Sequence, residues 1–209
     1  MAMIKQIPNI LTFSRLVLTL VVLVMILYAP RYYANGEVPF PGFLDIAFIL
    51  FVISGLTDIF DGMAARRLKV TSKFGRMLDP LVDKILVCGA FICFALIGEP
   101  KLFNLDKTSL TIIHWLVAAV LIAREAYVTI LRHIAEAKGI NFAATRSGKL
   151  KMFFQSFAIG TVIFKMAHVQ TAAWGYWFTT VIFIIMIITT IYSGLRATQR
   201  ESWKQARSS

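Results

Sequence analysis

Four aspartates carry most of the chemistry that this sequence can do. They stand at Asp58, Asp61, Asp79 and Asp83, with Gly62 and Arg66 behind the first pair and Gly75 ahead of the second, in a short segment flanked by strongly apolar sequence. On a helix, Asp58 and Asp61 at i and i+3 share a face, and Gly75, Asp79 and Asp83 at steps of four share another. Two such faces brought together make an oxygen-rich cage. Four facing carboxylates cannot all stay ionised unaided, because desolvation and mutual repulsion raise their pKa values. Divalent cations remove that difficulty. An all-oxygen set with no His or Cys inside the segment suits hard ions, Mg²⁺ or Mn²⁺, over zinc, and four carboxylates have room for two ions. The competing reading is structural. Each Asp then caps a helix, as Asp79 before Pro80 is placed to do, or pairs with Arg66, Arg67, Lys73, Arg76 or Lys84. Four carboxylates at this spacing beside apolar sequence weigh against it, because charge there is costly.

The segment resembles the signature of a known family. Asp58, Asp61, Gly62, Ala65, Arg66, Gly75, Asp79 and Asp83 match every fixed position of the pattern Asp-x-x-Asp-Gly-x-x-Ala-Arg, eight residues, Gly-x-x-x-Asp-x-x-x-Asp. That pattern is similar to the one carried by the CDP-alcohol phosphotransferases, integral membrane synthases of phospholipids. Further along, Ala123-Arg124-Glu125, Val128-Thr129-x-Leu131-Arg132 and Gly148-Lys149-x-Lys151, with Gln155 following, are similar to stretches of the phosphatidylglycerophosphate synthases. Met152 departs from the Thr expected there.

The composition agrees with a membrane setting. Hydrophobic residues make up 58% of the 209 and charged residues 16%, and the mean hydropathy is +0.72. Several runs reach the roughly 20 apolar residues that a helix needs to cross a bilayer. The strand alternation of a β-barrel is absent. The expectation is an all-α polytopic membrane protein, one domain over residues 1–209, with six transmembrane helices, a short N-terminal juxtamembrane segment and both termini cytoplasmic. Lys and Arg outnumber Asp and Glu by 22 to 11. These cations flank the apolar runs, as cytoplasmic loops beside anionic lipid do, so nucleic acid is not the expected partner. Cys88 and Cys93 lie within one span, five residues apart, and read as core side chains rather than a disulfide.

The apolar runs then place the elements. Residues 1–15 carry no cleavage-type site, so the first run reads as an anchor ending near Ala29-Pro30, with Pro8 suited to a helix start. A loop from Arg31 to Gly42 leads to a second span over about 43–60. A third helix starts at Thr71 or Ser72 and reaches Ile97, with Pro80 as a kink or a restart. An outer loop over 98–109 precedes a fourth span over about 110–131. A basic loop runs from Arg132 to about Gly148, the fifth span opens at Lys149, and the sixth covers about 174–195. This arrangement leaves four basic residues outside (Arg31, Lys101, Lys107 and Lys165) and the other eighteen inside, which specifies orientation and puts the Asp segment at the cytoplasmic boundary. Trp115, Trp174, Tyr176 and Trp177 read as interface anchors. His114, His133 and His168 lack metal spacing and read as ordinary loop or interface residues.

The resemblance implies roles for these positions. Asp58, Asp61, Asp79 and Asp83 would bind two Mg²⁺ or Mn²⁺ ions, with Asp83 also the general base that deprotonates an acceptor hydroxyl. Asn9, Ile10, Leu11 and Thr12, together with Asp58, Gly62, Arg66, Ser72 and Gly75, would hold CDP-diacylglycerol. The two glycines allow close approach of the nucleotide, and Arg66 and Ser72 can donate to diphosphate oxygens. Arg124, Arg146, Lys149 and Lys151 would cradle the acceptor phosphate of glycerol 3-phosphate. Arg124 has a structural alternative in a pair with Glu125, and Arg15 is left as a snorkelling residue or an acceptor-side helper. The implied localisation is the cell (inner or plasma) membrane, multi-pass, with the site facing the cytoplasm, and the implied assembly is a homodimer among membrane lipid. Other acceptors, namely inositol phosphate, serine or phosphatidylglycerol, fit the same signature. A divalent-metal channel or transporter is the alternative from another class, and it predicts charges at mid-membrane on several spans; a catalytically silent scaffold is a third.

Overall fold

Among the described residues, apolar runs fold into six α-helices: α1 (Ala2–Ala34), α2 (Phe43–Leu68), α3 (Lys73–Ile97), α4 (Lys107–Ala137), α5 (Arg146–His168) and α6 (Ala173–Thr198). The computed structural model describes residues 2–34, 42–68, 73–103, 105–139, 146–169 and 171–199, and their side chains except those of 2–11, 31–34, 58–68 and 73–79. Among the described residues there is no strand. Among the described residues, five helices are long and apolar enough to cross a membrane, and in α2 the apolar stretch is the shorter Phe43–Thr57. A multi-pass membrane protein is the architecture that this pattern supports, because only a helix satisfies its own backbone groups in hydrocarbon.

The helices outrun the apolar runs that mark them. α1 begins at Ala2, so the expected juxtamembrane segment is part of the first helix and Pro8 lies within it rather than at its start. The same helix passes through Pro30 to Ala34. A proline inside a membrane helix removes one backbone bond, and the surrounding turns tolerate that loss. α3 likewise runs through Pro80 without a break in its helical span. α2 continues past residue 60 to Leu68, and α4 continues past residue 131 to Ala137, which shortens the expected basic loop. Helix hydrogen bonding does not stop where the hydrocarbon does, and the polar residues added at these ends include good helix formers. Residues 71 and 72, the expected start of the third helix, lie outside the described residues.

Neighbouring helices close into a ring. α1 packs on α2 and α3, α2 on α5, α5 on α6, α6 on α4 and α4 on α3, with α3 also meeting α5 across the middle. The inward face of α1 shows why the ring has a polar end. Thr12, Arg15, Thr19, Val22, Ile26 and Ala29 are all buried at alternating steps of three and four, the first three polar and the last three apolar. α5 repeats the order, with Lys151 and Gln155 buried before Ala158, Ile159, Val162 and Ile163. α6, running the other way, reverses it, with Ile182, Phe183 and Met186 before Thr190 and Ser193.

Close packing holds α1 against α3. A Cβ on Gly89 would stand 2.7 Å from Leu23 Cδ1, so only the missing side chain admits that leucine. Cys88 and Cys93 are both free thiols within α3. At the far end from the polar residues, Asp106 caps α4 by accepting from the Thr108 and Ser109 N–H groups at 3.1 Å each. His114 Nε2 donates to the Pro100 carbonyl at 3.1 Å, and His168 contacts Asp45 at 2.6 Å, so both are local structural partners. Trp115, Trp174 and Trp177 are exposed, as interface anchors are.

Candidate active site

The short connection from α2 to α3 sets the signature segment at one end of the bundle. Asp58, Asp61, Gly62 and Arg66 lie in the second half of α2, and Gly75, Asp79 and Asp83 in the first half of α3. Asn9, Ile10, Leu11 and Thr12 lie near the start of α1, which packs on both. The backbone therefore brings the proposed nucleotide and metal residues to the same end. Of these side chains, those of Asn9, Ile10, Leu11, Asp58, Asp61, Gly62, Arg66, Gly75 and Asp79 lie outside the described residues, as does the whole of Ser72.

Asp83 and Thr12 are described. Thr12 is buried one turn before Arg15 on the inward face of α1. Asp83 is half-buried, and its Oδ1 accepts from Arg15 Nη2. Arg15 is 4% exposed, which corrects the reading of it as a side chain reaching out to water. It belongs to the face of α1 that turns toward α3, so its charge is met by a carboxylate instead of by solvent.

Asp83 opens onto a large cavity of about 1360 Å³ whose walls come from all six helices. Its polar part is lined by Arg15, Asp83, Lys84, Arg124, Glu125, Arg132, Lys149 and Lys151. Its apolar part is lined by Phe48, Phe51, Phe157, Phe164 and Phe178, among others. Gly148 and Lys165 both line it, and on a helix they are about 25 Å apart at 1.5 Å per residue. One cavity thus joins a cluster of charges to a long, mostly apolar wall, with Lys165 buried at its far limit. That is the shape for a molecule with a charged head and acyl chains. Among the described residues no three of His, Cys, Asp and Glu gather as metal ligands; three of the four signature aspartates have side chains outside that set.

Three of the four expected acceptor-phosphate residues meet at this cavity. Arg124, Lys149 and Lys151 line it; Arg146, the exposed first residue of α5, does not. Arg124 Nη1 donates to Glu125 Oε1 at 3.0 Å, and its Nη2 donates to Ser193 Oγ at 2.5 Å. Lys151 Nζ donates to the same Glu125 Oε1. The pairing weighed for Arg124 is therefore present, and it leaves Arg124 facing the cavity. Met152, where Thr is expected, also lines the cavity and is exposed.

Sequence reasoning missed several of these residues. Arg15 carried a readable signal, because Thr12, Arg15 and Thr19 continue the spacing of Val22, Ile26 and Ala29. Glu125 was visible only as a neighbour of Arg124, since nothing local says that Lys151 reaches it. Ser193, one of several hydroxyl residues along α6, gave no signal.

The comparisons with known proteins agree with this geometry. The sequence profile described as CDP-alcohol phosphatidyltransferase matches residues 5–192, from the start of α1 to late in α6. The chain is 29% identical over 194 residues to a probable phosphatidylglycerophosphate synthase of Mycobacterium tuberculosis, covering 93% of this chain and 80% of the relative. It is 33% identical over 161 residues to a CDP-diacylglycerol–glycerol-3-phosphate 3-phosphatidyltransferase of Bacillus subtilis, covering 76% of each chain. A protein of the same description from Rickettsia typhi is 31% identical over 159 residues, again covering 76% of each. With the match running through every helix that walls the cavity, the chain belongs to the CDP-alcohol phosphatidyltransferase family.

Proposed function

We infer that this protein transfers the phosphatidyl group of CDP-diacylglycerol to glycerol 3-phosphate, giving phosphatidylglycerophosphate and CMP. The observation that carries the reading is the single cavity in which Asp83 and the cations Arg124, Lys149 and Lys151 share walls with a long apolar surface. The names of the relatives point to the same donor and acceptor.

The chain's own groups supply the following steps. Acyl chains lie along the apolar wall of α2, α5 and α6, where burial of each CH₂ is worth about 0.8 kcal/mol. The acceptor phosphate sits against Arg124, Lys149 and Lys151, which makes its hydroxyl intramolecular to the donor phosphorus. Asp83 takes the proton of that hydroxyl as its oxygen forms a bond to the diacylglycerol-linked phosphorus. The bond from that phosphorus to the CMP oxygen breaks, and CMP leaves with the electron pair. Asp58, Asp61, Asp79 and Asp83 are the residues that would hold two Mg²⁺ or Mn²⁺ ions, an all-oxygen donor set on two consecutive helices, both packed on α1, that fits hard cations. Ions held there would supply polarisation of the diphosphate and stabilisation of the charge on the leaving nucleotide.

Asn9, Ile10, Leu11, Thr12, Gly62, Arg66, Ser72 and Gly75 complete the nucleotide side of this reading, with the site facing the cytoplasm and the enzyme a homodimer. The deciding experiment uses purified protein in lipid micelles with CDP-diacylglycerol and a panel of acceptors, reading CMP release and the lipid product. Phosphatidylglycerophosphate from glycerol 3-phosphate is the expected result. Turnover with inositol phosphate, serine or phosphatidylglycerol and none with glycerol 3-phosphate would overturn the acceptor, and cation flux without CMP release would overturn the reaction.

A further inference from the structure

Two cations from different helices converge on one carboxylate oxygen. Arg124 and Glu125 are adjacent on α4, and Lys151 reaches across from α5; Glu125 Oε1 accepts from both, at 3.0 Å from Arg124 Nη1. All three side chains are largely buried, at 13%, 13% and 5% exposure, and all three line the cavity. Arg124 is held on its other side by Ser193 of α6, so the chain Ser193–Arg124–Glu125–Lys151 crosses three helices. Without a carboxylate between them, Arg124 and Lys151 would repel in a medium that screens poorly, and Lys151 has four rotatable carbons with which to move away.

We propose that Glu125 is a positioning residue of the acceptor site: its carboxylate holds Arg124 and Lys151 together so that both meet the phosphate of the incoming acceptor. This rests on the proposed function, which places that phosphate among these cations. Glu125 touches neither the reacting hydroxyl nor the donor phosphorus in this scheme. It acts through its two partners. Its negative charge also offsets one of the two positive charges in the buried cluster, leaving one, with Lys149 and Arg132 supplying the rest of the wall.

The test is steady-state kinetics of Glu125→Gln, which keeps shape and one acceptor oxygen but loses the charge. Glu125→Asp and Lys151→Met are measured alongside, each with a thermal unfolding curve in the assay detergent. In Glu125→Gln the KM for glycerol 3-phosphate is expected to rise about tenfold while the KM for CDP-diacylglycerol stays within about twofold. Glu125→Asp should recover part of the loss. In the Lys151→Met background the Glu125→Gln change should raise the acceptor KM by less than it does in the wild type, because one of the two residues through which it acts is gone. An unchanged acceptor KM in folded Glu125→Gln overturns the proposal. A fall in that KM also overturns it, since the carboxylate would then be competing with the phosphate for the same cations. A loss in kcat alone overturns it in favour of a role on the reacting groups. Should Glu125→Gln not fold, the acceptor KM of Glu125→Asp decides: a rise that is smaller in the Lys151→Met background supports the proposal, and no rise overturns it. Wild-type protein that releases no CMP with glycerol 3-phosphate overturns the proposed function itself, whereas normal wild-type turnover with an unmoved variant overturns only the role of Glu125.

Discussion

A carboxylate beside a buried guanidinium can be a base, a metal ligand or a strut, and Asp83 and Glu125 illustrate the difference. Asp83 pairs with Arg15 but is half-exposed toward the cavity, so it can meet a substrate; Glu125 has one oxygen engaged by two cations. Replacing Asp83 with Asn keeps the size and removes the proton acceptor. Transfer should fall below detection while CDP-diacylglycerol binding, followed by protection against thermal unfolding, remains measurable. Near-normal turnover would remove Asp83 as the base. Lys149 is exposed at the rim of the cavity and has no share in the Glu125 cluster. Lys149→Ala should therefore raise the acceptor KM by about tenfold, more than that of the lipid, with little change in the unfolding midpoint. An equal rise in both would place Lys149 on the donor side.

Elements here are held by close packing in the interior of the helices and by capping at their ends. Gly89 lets Leu23 of α1 press against α3, so Gly89→Leu must push the helices apart or force the leucine into another rotamer. Overpacking of this kind costs about 1–3 kcal/mol, which a lowered unfolding midpoint would report; an unchanged midpoint would show that the α1–α3 contact yields freely. At a helix end, Asp106 starts α4. Hydrogen bonds from the Ser109 hydroxyl and from the Ser109 and Thr108 N–H groups hold its carboxyl below the usual carboxylate range. A carboxyl whose pKa is lowered on folding stabilises the folded state above its unfolded pKa, and that contribution is lost as pH falls through the lowered folded value. The difference in unfolding midpoint between the wild type and Asp106→Ala should thus be present at neutral pH and narrow on acidification. A difference that stays constant would mean that the charge on Asp106 does not matter to the cap.

Across the whole molecule, the polar ends of α1, α3, α4, α5 and α6 coincide, and this is what joins a charged chamber to an apolar wall about as long as a membrane is thick. The excess of Lys and Arg flanking that end predicts that it faces the cytoplasm, an orientation that labelling tests. Single cysteines placed at Lys101, in the loop after α3, and at Gly139, just after α4, test this in intact cells once Cys88 and Cys93 are replaced by Ala. A membrane-impermeant maleimide should label position 101 without lysis and position 139 only after it. The reverse pattern would invert the protein and put the site on the outer face.

Much was legible before any fold was known. Spacing alone put Asp58 with Asp61 and Asp79 with Asp83, and apolar runs marked six helices, because helical periodicity and bilayer thickness act locally along the chain. Helix ends were less legible, since backbone hydrogen bonding carries α1, α2 and α4 beyond the residues that hydrocarbon selects. The contacts between helices were decided only by tertiary packing. Arg15 meeting Asp83, Lys151 meeting Glu125 and Ser193 meeting Arg124 join residues 68, 26 and 69 positions apart. Each partner's own neighbourhood in the chain reads the same with or without the other. Which of several buried charges compensates which depends on the rotation and register of whole helices, and that is settled by the fit of the ring as a unit.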